Sequence, residues 1–185
     1  MTTETPPRLA DGSAPATPDA LFARLDELDL SYTTMHHPPV FTVAEAREHR
    51  GPIEGCHTKN LFVRNKKGRM WLVVCLEDRV IDLLEFGRSI GAGRISFGSP
   101  RRLMEYLGVV PGAVNPFAVL NDRGGEVTLV LDAETLRREP LNFHPLDNAM
   151  TTSIGADDFL AFLDAEDHPP VLYDFDAGAL VEPTP

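Results

Sequence analysis

The stretch Met70-Trp71-Leu72-Val73-Val74-Cys75-Leu76 is apolar without a break. A run of this length, rich in branched and aromatic side chains, reads as a strand covered on both faces. A shorter apolar run at 61–63 precedes it, and the polar Asn65-Lys66-Lys67-Gly68 between them has the composition of a glycine-bearing turn. The two runs predict a β-hairpin whose second strand lies inside the molecule.

Upstream, residues 1–16 are rich in Pro, Thr, Ala and Ser with almost no large apolar side chain, and they are expected to form a mobile N-terminal tail. Thr17-Pro18-Asp19 then supplies an N-cap, a proline at the first helical position and an acidic first turn, with Leu21, Phe22, Leu25 and Leu28 as the apolar stripe. A strand at 31–35 ends in His36-His37-Pro38-Pro39, and capping-box spacing from Thr42 predicts a helix over 42–49. Past the hairpin, a helix is expected at 82–90 and another opening at Ser99-Pro100, followed by strands at 117–120 and 126–131 around Asn121-Asp122-Arg123-Gly124-Gly125. A short helix at 132–138, a brief strand at 141–144, a polar patch at 148–153, a helix at 156–165 and a last strand at 171–173 complete the series. Residues 176–185 read as a loose acidic tail. Strands come mainly as hairpins with helices interspersed and without a repeating βαβ unit. The prediction is an α/β (α+β) fold, a mixed and largely antiparallel sheet with helices packed around it, in one domain over 17–175.

Charge narrows the function. The net charge of −11 argues against a protein that coats nucleic acid by bulk attraction. Within it, residues 59–102 carry ten basic and four acidic side chains, so a basic face there is able to steer an RNA end, unless those charges scatter over several faces. No apolar run is long enough to span a bilayer, and residues 1–7 lack the basic-then-apolar order of a secretory signal. The expected setting is cytoplasmic, with no membrane partner and with Cys56 and Cys75 as reduced thiols. There is no nucleophile elbow, phosphate-binding loop or dinucleotide fingerprint. His36, His37, His57 and His144 with Cys56 have no zinc-motif spacing, so neither a metal nor another cofactor is expected.

What remains is Lys59 and Asn60 at the mouth of the first hairpin strand. Thr58-Lys59-Asn60-Leu61-Phe62, then Trp71-Leu72-Val73-Val74 and Arg79-Val80-Ile81-Asp82-Leu83, resemble the YbaK/prolyl-tRNA-synthetase-associated domain family, and within it the free-standing ProXp-ala (PrdX) branch. His37-Pro38-Pro39-Val40-Phe41-Thr42-Val43, Gly91-Ala92-Gly93-Arg94-Ile95-Ser96-Phe97, the loop 108–112 and Asn142-Phe143-His144-Pro145-Leu146 match in the same order, so the resemblance spans roughly residues 18–175. It implies a curved mixed sheet flanked by helices and a trans-editing deacylase that hydrolyses mischarged Ala-tRNA(Pro). It further implies catalytic positions at Lys59, Asn60 and His144, and an aminoacyl pocket bordered by Thr58 and by Gly108, Pro111 and Gly112. Phe41 and Val40 are candidate walls of that pocket. The implied partners are the acceptor end of tRNA(Pro) and, transiently, prolyl-tRNA synthetase or an elongation factor.

The chemistry suits these residue types. An aminoacyl ester is already activated, so a site need only place a water and stabilise the developing oxyanion. Lys59 is able to do so as an ammonium, to hold a phosphate of the tRNA terminus, or to act as a base if burial lowers its pKa. Asn60 can orient the ester or the α-amino group, and His144 can move a proton near neutrality. Two other readings stay open: a deacylase for another small amino acid such as Cys or Ser, and a noncatalytic module that binds tRNA or the synthetase.

Overall fold

A computed structural model describes residues 6–40 and 54–181. The hairpin lies at its centre. Strand β2 (Cys56–Asn65) turns at Lys66-Lys67-Gly68 into β3 (Met70–Leu76), and every residue of β3 is buried. The turn is held by Asn65, whose Oδ1 accepts from the amides of Lys67 and Arg69.

Among the described residues seven further strands extend this pair: β1 (Tyr32–His36), β4 (Ile95–Phe97), β5 (Val127–Asp132), β6 (Leu141–Phe143), β7 (Met150–Ile154), β8 (Val171–Asp174) and β9 (Ala179–Leu180). The sheet order is β1-β7-β6-β2-β3-β5-β8-β9, with β4 also beside β2. Five pairings are antiparallel; β2 with β6, β3 with β5 and β5 with β8 are parallel. The sheet is thus mixed and largely antiparallel, as its hairpin-rich sequence requires.

Alternation along β3 assigns the two faces. Met70, Leu72, Val74 and Leu76 join the larger core with α1 (Pro18–Glu27), α3 (Pro100–Leu107) and α4 (Ala156–Ala165), while Trp71 and Val73 join a smaller core with Phe86 of α2 (Leu83–Ser89). Phe117 sits at the centre of the larger core, its ring 5.3 Å from Phe162 and 5.7 Å from Phe143, both near edge-on. The helices start as their caps dictate. Thr17 Oγ1 accepts from the Ala20 amide, Asp82 Oδ1 from Leu84 and Glu85, and Ser99 Oγ from Arg102.

Several elements differ from expectation. Residues 117–120 form a 3-10 helix (Pro116–Asn121) rather than a strand; Pro116 starts it, and Phe117, Ala118 and Val119 are buried. The polar patch at 148–153 is largely strand β7, held between β1 and β6, with the Thr152 hydroxyl 2.8 Å from that of Thr34. Residues 95–97 are a strand that was not anticipated. Both ends of the domain also reach further than expected. Leu9 is buried and the Ala10 amide donates to the Glu105 carbonyl, while Asp176 pairs with Arg79 and residues 179–180 close the sheet as β9. The expected helix at 42–49 lies outside the described residues.

Candidate active site

One edge of β2 is shared by two strands. β6 pairs with Cys56 and His57 at one end, and β4 with residues 63–65 at the other. Between them, among the described residues, no strand covers that edge. Beside this gap lies a cavity of about 60 Å³, lined by His57, Thr58 and Asn60 of β2, Glu77 beyond β3, Asn142, Phe143 and His144 around β6, Thr151 of β7, and His37 and Val40 after β1.

Thr58 and Asn60 share the face of Phe62, the larger-core face. Thr58 Oγ1 and Asn60 Oδ1 are both buried with no hydrogen-bond partner among the described residues. Leaving such an atom unpaired costs about 1–3 kcal/mol, so two together at the wall of one cavity point to a ligand that completes them.

The remaining lining is braced. Asn142 donates to the carbonyls of Glu54 (2.9 Å) and Cys56 (3.2 Å) and accepts from Ser153 Oγ (2.5 Å), which ties β6 to the start of β2. His144 Nδ1 lies 2.7 Å from the Met150 carbonyl. A carbonyl only accepts, so Nδ1 carries the proton and Nε2 keeps a lone pair. Burial holds the His144 pKa below the ordinary histidine value, against the pull of that carbonyl, and the ring is neutral near pH 7. His37 packs 5.9 Å from His144 and contacts Thr151 Oγ1 at 2.9 Å through Nε2.

Lys59 sits differently. Between Thr58 and Asn60 in sequence, its side chain leaves the opposite face of β2, and its ammonium donates to the carbonyl of Arg79. The Arg79 turn is itself clamped. Nε donates to buried Asp132 at 3.0 Å, Nη2 to Asp176 at 3.0 Å, and the guanidinium lies 5.8 Å from the Phe175 ring. The hydrogen bond to Asp176, followed by that to Asp132 against the cost of burial, raises the Arg79 pKa.

The structure therefore brings Thr58, Asn60 and His144 together in one cavity and leaves Lys59 off its lining, one residue away on the other side of the strand. Gly108, Pro111 and Gly112 do not line it either. Gly108 has a different reason to be glycine: it ends α3 at φ 65°, and a Cβ would lie 2.6 Å from the Asn121 amide. Phe41 lies outside the described residues, whereas Val40 does line the cavity. Glu77, Asn142, Phe143 and Thr151 were not foreseen. The sequence held only the adjacency of Asn142 and Phe143 to His144 as a signal for them. Cys56 and Cys75 are buried and unpaired, with burial pushing their pKa values up to about 11 and about 12.

The basic segment divides as well. Lys66, Lys67 and Arg69 lie exposed at the hairpin turn, Arg69 with its guanidinium 5.2 Å from the Trp71 ring, and exposed Arg94 precedes Ile95, which pairs with Asn65 beside that turn. Arg101 and Arg102 stand apart at the start of α3.

The sequence and the fold match known proteins. Residues 37–162 match the model of the aminoacyl-tRNA editing domain, and the chain belongs to that family. It is 41% identical over 140 residues to the prolyl-tRNA editing protein ProX of Acetoanaerobium sticklandii, covering 75% of this chain and 85% of ProX. It is 38% identical over 161 residues to the Xenopus laevis prolyl-tRNA synthetase associated domain-containing protein 1, covering 84% of this chain and 95% of that one. A solved structure described as that of a candidate trans-editing enzyme for prolyl-tRNA synthetase shares the fold, with a TM-score of 0.64 and 18% identity over 92% of this chain and all of the other.

Proposed function

We propose that the protein is a trans-editing deacylase that hydrolyses Ala-tRNA(Pro), releasing alanine and tRNA(Pro). The observation that carries this reading is the cavity itself: small, beside the β2 gap, with two orphaned oxygens and a neutral histidine at its wall. Proline selection cannot strongly reject alanine by binding alone, since missing methylenes forfeit only about 1–3 kcal/mol. A second site corrects the error by admitting a methyl and excluding a ring.

In this reading the aminoacyl group enters the cavity and the ribose stays at its mouth. His144 Nε2 takes a proton from a water as the water oxygen bonds to the ester carbon. The same proton returns to the ribose oxygen when the C–O bond breaks, leaving free alanine and a terminal hydroxyl. Lys59, off the cavity lining on the other face of the strand, meets the charge of the RNA terminus. The basic group at the hairpin turn gives the rest of the RNA a second place to touch.

The test is a deacylation assay without added metal on Ala-, Cys-, Ser- and Pro-tRNA(Pro). Ala-tRNA(Pro) is expected to be cleaved fastest and Pro-tRNA(Pro) left intact. In the same assay Lys59→Ala is expected to lose most of the activity. Saturable tRNA binding with no cleavage of any ester would instead mark a binding module.

A further inference from the structure

Burying a phenylalanine ring is among the larger gains a fold can make. Phe97, at the end of β4, is nevertheless 60% exposed, the one aromatic among the exposed large apolar side chains of the described residues. The backbone that carries it is held on both sides. Phe97 pairs with Val63 of β2, and the Gly98 amide donates to the Phe62 carbonyl at 2.8 Å. A Cβ on Gly98 would lie 2.3 Å from the Phe62 ring, so only glycine lets the chain pass that close. Ile95, two residues earlier on the same face, is buried in the smaller core, and Phe97 therefore stands just past the rim of that core.

Cations lie on either side of it along β2. Cross-strand partners share a face, so Phe97 is on the side of Val63 and of Lys59. Lys59 is four residues from Val63, about 13 Å at a strand rise of about 3.3 Å. Asn65, where the turn with exposed Lys66, Lys67 and Arg69 begins, is two residues the other way, about 7 Å. Exposed Arg94 leads into β4 beside that turn. A flat apolar face between positive charges is complementary to a chain that carries a flat base and a phosphate in every unit, the arrangement by which proteins hold single-stranded nucleic acid. The acceptor end of a tRNA finishes in unpaired nucleotides of that kind, with base faces free to stack.

Building on the deacylase reading, we infer that Phe97 is a stacking platform for an unpaired base of the tRNA acceptor end. The base lies on the exposed ring, the terminus beyond it reaches Lys59, and the phosphates behind it meet the basic turn. Stacking needs only a π-face, so Phe97 adds affinity and fixes the register of the strand without choosing the base. The ring takes no part in breaking the ester.

The full-length protein is titrated with uncharged tRNA(Pro), either intact or trimmed of its unpaired 3′ nucleotides, and deacylation of Ala-tRNA(Pro) is followed in parallel. Phe97→Ala is expected to weaken binding of the intact tRNA about 5–150-fold and to raise KM more than it lowers kcat, while Phe97→Trp restores both. The slope of log affinity against log salt is expected to stay at the wild-type value in Phe97→Ala, because no phosphate contact is lost, whereas Lys66→Ala reduces it by about 1. On the trimmed tRNA Phe97→Ala and the wild type are expected to bind alike. Intact tRNA bound equally well by Phe97→Ala, or an equal loss on both tRNAs, overturns the inference and leaves the deacylase reading to its own assay. A loss confined to the intact tRNA, in a protein that cleaves no ester, sustains the inference while the deacylase reading falls. No binding of either tRNA, or a loss in Phe97→Trp as deep as in Phe97→Ala, overturns it.

Discussion

Two buried polar regions of this molecule differ in one respect. Where β5 begins, His168 is 5% exposed and Asp122 is 3% exposed, and each polar atom in the pair is matched. His168 Nε2 donates to Asp122 Oδ2 at 3.0 Å and Nδ1 to the Glu166 carbonyl at 2.6 Å, while Asp122 also accepts from the amides of Glu126 and Val127. At the open edge of β2, Thr58 Oγ1 and Asn60 Oδ1 are equally enclosed and matched by nothing among the described residues. The first region is complete as it folds, and so it holds the chain together. The second is left incomplete among the described residues, as the proposed role in binding requires.

That contrast predicts opposite responses to substitution. Asp122→Ala removes the partner of a buried imidazolium and of two amides, and is expected to destabilise the fold by about 3–5 kcal/mol, read as a lower denaturant midpoint. Lys59→Ala, with its loss of deacylation, removes one hydrogen bond to the Arg79 carbonyl and is expected to lower that midpoint by much less, about 0.5–1.5 kcal/mol. Thr58→Val keeps the shape and deletes an orphaned hydroxyl, so the free protein is expected to gain up to about 1–3 kcal/mol while substrate binding weakens. A fall in stability for Thr58→Val would show that the hydroxyl is satisfied in solution and would erase the contrast.

The two histidines sharpen it through pH. Burial works to lower the His168 pKa, but the bonds to Asp122 and to the Glu166 carbonyl outweigh it and raise the value in the fold. Its stabilisation is therefore complete below the unfolded-state value and disappears as pH rises through the folded one. His144 is shifted downward, chiefly by burial, so the unfolded chain takes up its proton first and stability falls as pH drops below the ordinary histidine range. Its neutral form also persists to lower pH, and the acidic limb of the rate profile is expected below the ordinary histidine value. Thermal midpoints of His168→Gln and His144→Gln across pH should diverge, the first losing the alkaline dependence and the second the acidic one.

Local signals made most of the fold readable. The unbroken apolar run of β3 and the Thr17, Asp82 and Ser99 caps each state their element in a few residues. Residues 116–121 defeated that reading because a short apolar run has no period with which to tell a strand from a buried 3-10 turn. β7 was obscured because Thr151, Thr152 and Ser153 look solvated until Thr34 and Asn142 are found across from them. The candidate site divides in the same way. Thr58, Asn60 and His144 were reached through resemblance, and the structure places them around one cavity. Glu77 and Thr151 become neighbours of Asn60 only through strand pairings that no short window of sequence displays.

An unpaired strand edge ordinarily invites another chain to extend the sheet, with aggregation as the hazard. In this molecule the length of β2 that no strand covers among the described residues is bounded at both ends by the protein's own β6 and β4. A foreign strand of ordinary length, about five or six residues, finds its path along that edge blocked before it can register. The fold thus keeps backbone polarity within reach of a small guest while denying it to a polymerising neighbour.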